Sequence, residues 1–241
     1  MKIALIGYGK MGKSIETIAQ SRGHEIVLII DQNKLIAPER FDLKKVDVAF
    51  DFSTPSSAKM NIMTAIDSGI PIISGTTGWM HQFSEVVAYC EKKQGSFLYA
   101  SNFSLGVSLF FELNKKMTEI MRKYDQYEIN VHEIHHKEKK DSPSGTAISL
   151  AEQIIAKNKS LHRWTSNDSV EKNSIKIVSE RKEKVTGTHK VNYHCEMDSI
   201  SIEHKAHSRK GFALGAVIAA EWIKDKKGCF SMSDVLFSKK H

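Results

Sequence analysis

Cysteine is scarce. The three in 241 residues, Cys90, Cys195 and Cys229, lie far apart in sequence and match no metal-ligand spacing. Being odd in number, they cannot all pair within the chain, so no disulfide framework is expected. A reducing, cytoplasmic setting fits such usage. Long apolar runs are also missing. The longest, from Phe212 to Ile223, is interrupted by Glu221 and falls well short of the ~20 residues of a membrane-spanning helix. Met1–Ile6 is apolar but runs straight into glycine, without a signal-type apolar stretch or cleavage site, and is read as a buried strand. No internal repeat or low-complexity tract appears, which excludes solenoids. The net charge is +7, yet no basic run alternates with aromatics and no recognition helix or basic arm is present, so nucleic acid is not the expected partner.

What is present is a hydrophobic content of 41%, enough to bury a substantial core in one large or two smaller domains. Most basic residues are scattered. One cluster, Lys137, Lys139 and Lys140, stands beside histidines and a glycine turn, which points to a small polyanionic ligand.

Alternating apolar runs predict β/α units over the first hundred residues. Strands are expected at Lys2–Ile6, Glu25–Ile30, Val46–Phe50, Pro71–Ser74 and Phe97–Ala100, with helical patterns between most of them. Such alternation implies a parallel, Rossmann-type α/β sheet with right-handed crossovers. A long helix follows Phe103 to about Lys123. The alternations Tyr127/Ile129/Val131, Val191/Tyr193 and Ile200/Ile202 then predict a second, α+β domain on a mixed sheet, with Lys157 to Asn173 as a surface loop. Residues 1–103 are expected to bind a dinucleotide and 104–211 to bind substrate. Residues 212–241, with an apolar helix at Phe212–Ile223, are expected to return to the first domain.

Gly7-Tyr8-Gly9-Lys10-Met11-Gly12 is a complete GxGxxG directly after a strand and opening a helix, with Asp31 ending the next strand. The first glycine permits the tight turn, the second lets backbone approach a pyrophosphate, and the third lets helix and strand pack closely. Asp31 would accept bonds from ribose hydroxyls. A glycine turn in an α/β protein without a nucleotide is the competing reading, and the strand–turn–helix context with Asp31 weighs against it.

Residues 132–136 form an HExxH match through His132, Glu133 and His136. Zinc would need that pattern on a helix. Here the alternation from Tyr127 continues a strand, on which positions four apart are separated by roughly 13 Å, so no metal site is expected. Ser142 followed by Pro143 resembles an N-cap with proline at the first helical position, and Ala147, Ile148, Ala151 and Ile155 continue a helix face. The amides of Ser144, Gly145 and Thr146 then lack intrahelical acceptors and favour a carboxylate or phosphate. His135, His136 and Lys139 stand just upstream to offer cationic or proton-donating groups. A solvated strand end beside an ordinary capped helix is the bland alternative, preferred were the segment taken alone.

On these motifs the chain resembles the dihydrodipicolinate reductase family over nearly its whole length. Further matches run in order: Asp51-Phe52-Ser53-Thr54, Gly75-Thr76-Thr77-Gly78, Ala100-Ser101-Asn102-Phe103-Ser104, Glu133-Ile134-His135-His136 with Lys139, Asp141-Ser142-Pro143-Ser144-Gly145-Thr146, and Ile202-Glu203-His204-Lys205-Ala206. The resemblance implies reduction of 4-hydroxy-tetrahydrodipicolinate by NADH or NADPH, on the route to diaminopimelate and lysine. It implies His135 as proton donor or acceptor, Lys139 as proton donor, and His136, Gly145 and Thr146 as substrate-binding residues. Gly75, Thr76 and Thr77 and Ala100, Ser101, Asn102 and Phe103 would surround the nicotinamide half of the cofactor, and the second domain's sheets would assemble a homotetramer; neither nucleic acid nor membrane is an expected partner. The chain is short for the family before Val185, which leaves Arg181 without a firm counterpart. Gln32 stands where many members carry a basic residue. Competing classes are another two-domain dehydrogenase acting on an amino acid or sugar, and a redox-sensing DNA-binding protein; neither accounts for the His-His-x-x-Lys and Pro-Ser-Gly-Thr blocks.

Overall fold

The computed structural model describes residues 1–31, 45–166, 173–208 and 210–237. The chain divides into two compact units, residues 1–105 with 209–241, and residues 106–208.

Unit 1 is built on strands β1 (Lys2–Ile6), β2 (Glu25–Ile30), β3 (Val48–Asp51), β4 (Ile72–Ser74), β5 (Ser96–Tyr99) and β11 (Gly228–Phe230). Their order is β11-β5-β4-β3-β1-β2, with every neighbouring pair parallel. A parallel sheet is covered on both faces, so its strands read as continuous apolar runs. In β1, Ile3 and Leu5 enter one core with helices α1 (Lys10–Ser21) and α6 (Lys210–Ile223). Ala4 and Ile6 enter the other, with α2 (Pro55–Asp67) and α3 (Phe83–Lys92). Thr54 caps α2 and Pro55 takes its first position, where a missing amide costs nothing.

The expected Rossmann-type sheet is therefore observed, with one addition. Residues 212–241 were expected only to return to this unit; Gly228–Phe230 adds a sixth strand beside β5, and α7 (Met232–Phe237) follows. That return also brings Cys229 against the Cys90 side chain, two thiols that are distant in sequence.

Unit 2 contains α4 (Leu105–Met121, its first residue in unit 1), β6 (Glu128–His135), α5 (Gly145–Lys157), β7 (Arg163–Thr165), β8 (Ser174–Arg181), β9 (Gly187–His194) and β10 (Ser199–Ala206). The order β10-β9-β6-β8-β7 is mixed: β6 is antiparallel to β9 and parallel to β8. Val131, Ile175, Ile177, Val191 and Tyr193 pack against Ala147, Leu150, Ala151 and Ile154 of α5. The three-residue β7 interrupts the stretch read as a loop.

Candidate active site

In unit 1 the strand order reverses beside β1, which has β2 on one side and β3 on the other. Open α/β sheets bind ligands at such a point, beyond the strand ends. Gly7, at φ +90°, takes the turn there; a Cβ would lie 2.2 Å from the Phe52 carbonyl oxygen. A Cβ on Gly12 would lie 2.4 Å from the Gly7 carbonyl, whereas one on Gly9 would meet nothing within 4 Å. So two glycines close the turn and the third fronts open space. Gly9 caps α1 without a side-chain bond, and no acid sits in the first turn. That leaves the helix N-terminus suited to an anion, and these residues fit a dinucleotide. Lys10 is exposed and Met11 half-buried in that turn, while Tyr8 donates to Glu16. Asp31 directly follows β2 and is exposed. Gln32, singled out in the sequence after Asp31, lies outside the described residues.

The remaining cofactor candidates divide by exposure. Thr77 and Ser101 are exposed at strand ends, and Ala100 and Asn102 half-buried. A Cβ on Gly75 would run into the Phe52 ring at 2.2 Å. Thr76 is buried, accepting from the Ser53 amide at 2.9 Å and donating to the Asp51 carbonyl at 3.3 Å. Phe103 is a core residue whose ring lies 5.6 Å from that of Phe52. Beneath these loops sits Asp51, fully buried, accepting from Ser53 Oγ at 2.5 Å, Asn61 Nδ2 at 2.8 Å and Ser74 Oγ at 2.9 Å. Burial pushes its carboxyl above the usual range, against those hydrogen bonds.

In unit 2 the HExxH match does fall on a strand. His132 pairs with Glu180 at 2.7 Å, while the alternate positions Glu133 and His135 are buried on the face that packs against α5. Register assembles the rest. Glu133 lies opposite His189 of β9 and Ser179 of β8, and His135 lies opposite Arg181. The Glu133 carboxylate is fully buried, with His135 Nδ1 at 3.2 Å and His189 Nε2 at 3.7 Å from Oε2. Its Oε1 accepts from the Ser144 amide at 2.9 Å and Ser179 Oγ at 2.8 Å, with Arg181 Nη1 at 3.6 Å. Burial, the largest influence, pushes this carboxyl up, but the imidazoles and hydroxyl and amide donors together hold it far below the ordinary range. Burial, outweighing the Glu133 carboxylate, lowers His189.

The helix start differs from expectation. Ser144, not Ser142, is the N-cap, extended at φ −70° and ψ 153°, its hydroxyl accepting from the Ala147 amide at 3.2 Å. Pro143 therefore precedes the cap. The displacement follows from Glu133, which takes the Ser144 amide and keeps the chain extended past the proline. Of the three amides expected to face an anion, Ser144's is thus committed to Glu133. Those of Gly145 and Thr146, at the first two helical positions, have no intrahelical acceptor. Gly145 is exposed, and a Cβ there would meet nothing within 4 Å. Lys139 donates to both oxygens of Asp141 at 2.7 and 2.8 Å, and His136 Nδ1 lies 3.0 Å from Glu138. His135 is thus set deep among buried polar groups, whereas His136 and Lys139 sit on local acids in the following turn.

Sequence reasoning passed over His189, Ser179 and the central place of Glu133. One signal was available. Extending the Val191/Tyr193 alternation two residues back places His189 on the same inward face.

A dinucleotide-binding parallel sheet, together with a unit that sets buried imidazoles beside an anion-receptive helix start, defines a nicotinamide-dependent oxidoreductase. Residues 1–103 match the N-terminal part and residues 106–236 the C-terminal part of dihydrodipicolinate reductase, and the chain belongs to that family. A 4-hydroxy-tetrahydrodipicolinate reductase of Christiangramia forsetii is 49% identical over 238 residues, covering 98% of each chain. One from Archaeoglobus fulgidus is 32% identical and covers 98% of this chain and 100% of its own. The fold is similar to that of a dipicolinate-bound dihydrodipicolinate reductase from Paenisporosarcina sp. TG-14, with a TM-score of 0.79 at 21% identity over 98% of this chain and 99% of the other. The protein is accordingly an oxidoreductase of this family using NADH or NADPH. Among the described residues, no helix is long and apolar enough to cross a membrane.

Proposed function

We propose that His135 passes the proton and that the start of α5 holds a substrate carboxylate in the reaction of this family, the reduction of 4-hydroxy-tetrahydrodipicolinate to tetrahydrodipicolinate in lysine and diaminopimelate biosynthesis. The observation that carries the residue assignment is the joint position of His135 and the α5 N-terminus around one buried carboxylate. When bound, NADH or NADPH supplies the hydride. Hydride addition to a conjugated ring C=N leaves a neighbouring atom that must take a proton, and an imidazole that titrates near neutrality in water is suited to give it. The free amides of Gly145 and Thr146 donate to a carboxylate with the helix dipole behind them. Lys139 already engages a carboxylate, that of Asp141, and exchanging it for the substrate's places an ammonium beside the developing charge. His136 would exchange Glu138 in the same way. On the first unit Gly7 and Gly12 close the turn that lets Gly9 and the start of α1 approach the pyrophosphate, and Asp31 takes the ribose.

Self-association is supported by apolar side chains that share an outward face of α4, Leu109, Leu113 and Ile120, which are 45%, 58% and 65% exposed. The test of the reaction is cofactor oxidation by the purified protein with freshly generated 4-hydroxy-tetrahydrodipicolinate as sole substrate. Turnover with it, and none with amino acids or sugars, is expected; the converse would reassign the chain to another dehydrogenase activity.

A further inference from the structure

The Glu133 carboxylate does more than fill a buried position. Its Oε1 is taken by the Ser144 amide and the Ser179 hydroxyl. Its Oε2 is buried and lacks a hydrogen bond of good geometry, as does His135 Nδ1, yet the two atoms lie 3.2 Å apart. An ionised carboxylate offers only acceptors, so the proton between them belongs to the ring nitrogen. Around the pair stand His189 from β9, whose ring is edge-on to His135 at 4.9 Å, and Arg181 from β8. Lys139 and Asp141 are paired in the following turn. On the far side of the ring is Gly187, where a Cβ would come within 3.1 Å of His135 Nε2. The strand leaves that nitrogen room.

We propose that Glu133 is a positioning residue for the proton-transferring imidazole: it holds the His135 hydrogen on Nδ1, so that Nε2 is the nitrogen that exchanges a proton with substrate. The same carboxylate, through the Ser144 amide, fixes the start of α5, so one buried anion sets both the proton-transfer group and the carboxylate-binding helix end. This rests on the assignment of His135 to proton transfer. A carboxylate that orients a histidine from its far nitrogen is a general device, and its removal changes the tautomer while leaving the geometry intact.

Glu133→Gln tests the assignment sharply. The side-chain carbonyl of glutamine is claimed by the Ser144 and Ser179 donors, so its NH2 faces His135 Nδ1 and requires that nitrogen to accept. The tautomer should invert. Long-range proton–nitrogen NMR of histidine-labelled full-length protein at alkaline pH is expected to show His135 protonated on Nδ1 in the parent and on Nε2 in the variant. The kcat should fall at least ~100-fold, a moderate share of what such a tautomer change costs elsewhere, while the dissociation constant for the dinucleotide stays within about twofold. A parent protein with the proton on Nε2 or shared between both nitrogens overturns the proposal, as does an inverted tautomer with unchanged kcat. If the variant does not fold, the parent tautomer still decides. A parent that carries the Nδ1 proton but reduces no cyclic imine would sink the reaction and leave the hold of Glu133 on His135 standing.

Discussion

Among the described residues, each unit buries one carboxylate near the C-terminal end of a strand, Asp51 on β3 and Glu133 on β6, and both are 0% exposed. Their surroundings differ. Asp51 is met by two hydroxyls and an amide, all neutral, and burial prevails, raising its carboxyl. Glu133 is met by two imidazoles, a nearby guanidinium, an amide and a hydroxyl, and these prevail over burial, lowering it. A buried carboxyl surrounded by neutral donors ties loops together, here those after β3 and β4. One surrounded by ionisable groups also controls where protons sit. The burial is alike, and the partners decide the role.

The largest effects should come from His135, beside the Glu133 carboxylate, and from Lys139, paired with Asp141 in the following turn. His135→Ala and Lys139→Ala are each expected to lower turnover by at least ~100-fold, the usual contribution of general acid–base groups. Dinucleotide affinity, a property of the other unit, should survive, and titration of intrinsic fluorescence checks it. Near-normal turnover in both variants would remove these groups from the chemistry and reduce Glu133 to a structural part like Asp51.

Stability should separate the two carboxylates next. Glu133→Gln breaks a buried charged cluster and is expected to cost about 3 kcal/mol, the lower end for such losses. Asp51→Asn keeps a carbonyl for Ser53 and Asn61, and its amide can donate to Ser74 once that hydroxyl turns, so a change within about 1 kcal/mol is expected. Urea unfolding of the three proteins measures both. Equal losses would mean that the partners of Glu133 contribute no charge-specific stability.

A smaller effect follows from pH. The Glu133 carboxyl is lowered on folding from its ordinary 4.5; its contribution is complete above that pH and drains away as the pH falls below it. The Asp51 carboxyl is raised from 3.8, so its contribution is complete below that pH and is lost as the pH rises through the window above it. The Tm difference between parent and Glu133→Gln should therefore shrink below about pH 4.5, whereas Asp51→Asn should gain on the parent as the pH rises from about 4. Parallel slopes would contradict the opposite directions of the two shifts.

The same contrast explains what was legible in the sequence. The fingerprint at Gly7–Gly12 is local, so turn, helix and glycine roles could be read directly. The strand nature of residues 128–135 followed from alternation and correctly removed the HExxH helix. By contrast, β11 and β7 have three residues each, too few for a period to register. The cap of α5 was misplaced by two residues because a buried carboxylate eleven positions earlier takes the Ser144 amide. Alternation puts His189 on the inward face of its strand, but its place opposite Glu133, like that of Arg181 opposite His135, comes from strand register, which no local pattern carries. Asp51 stood out in the sequence only as part of the Asp51-Phe52-Ser53-Thr54 match, and its partners Asn61 and Ser74 turn it inward.

The smallest expected effect is that of chelation, and it bears directly on why Glu133 differs from Asp51. Ligand atoms of Glu133, His135 and His189 all lie within 4.8 Å of one another, a set of types that zinc accepts. The charges beside it argue otherwise. Arg181 stands 3.6 Å from Glu133 Oε1, and a divalent cation would enter against that guanidinium. Oε1 is already committed to the Ser144 amide and the Ser179 hydroxyl, and His189 Nε2 lies 3.1 Å from Ser144 Oγ, so coordination would cost bonds that fix the α5 cap. A metal on His135 would also occupy the imidazole proposed to transfer the proton. Dialysis against a strong chelator is expected to leave turnover within experimental error and Tm unchanged, and added zinc to inhibit rather than activate. Stoichiometric zinc that survives dialysis, with activity lost on its removal and restored on its return, would make Glu133 a metal ligand and end its role as the holder of the His135 tautomer.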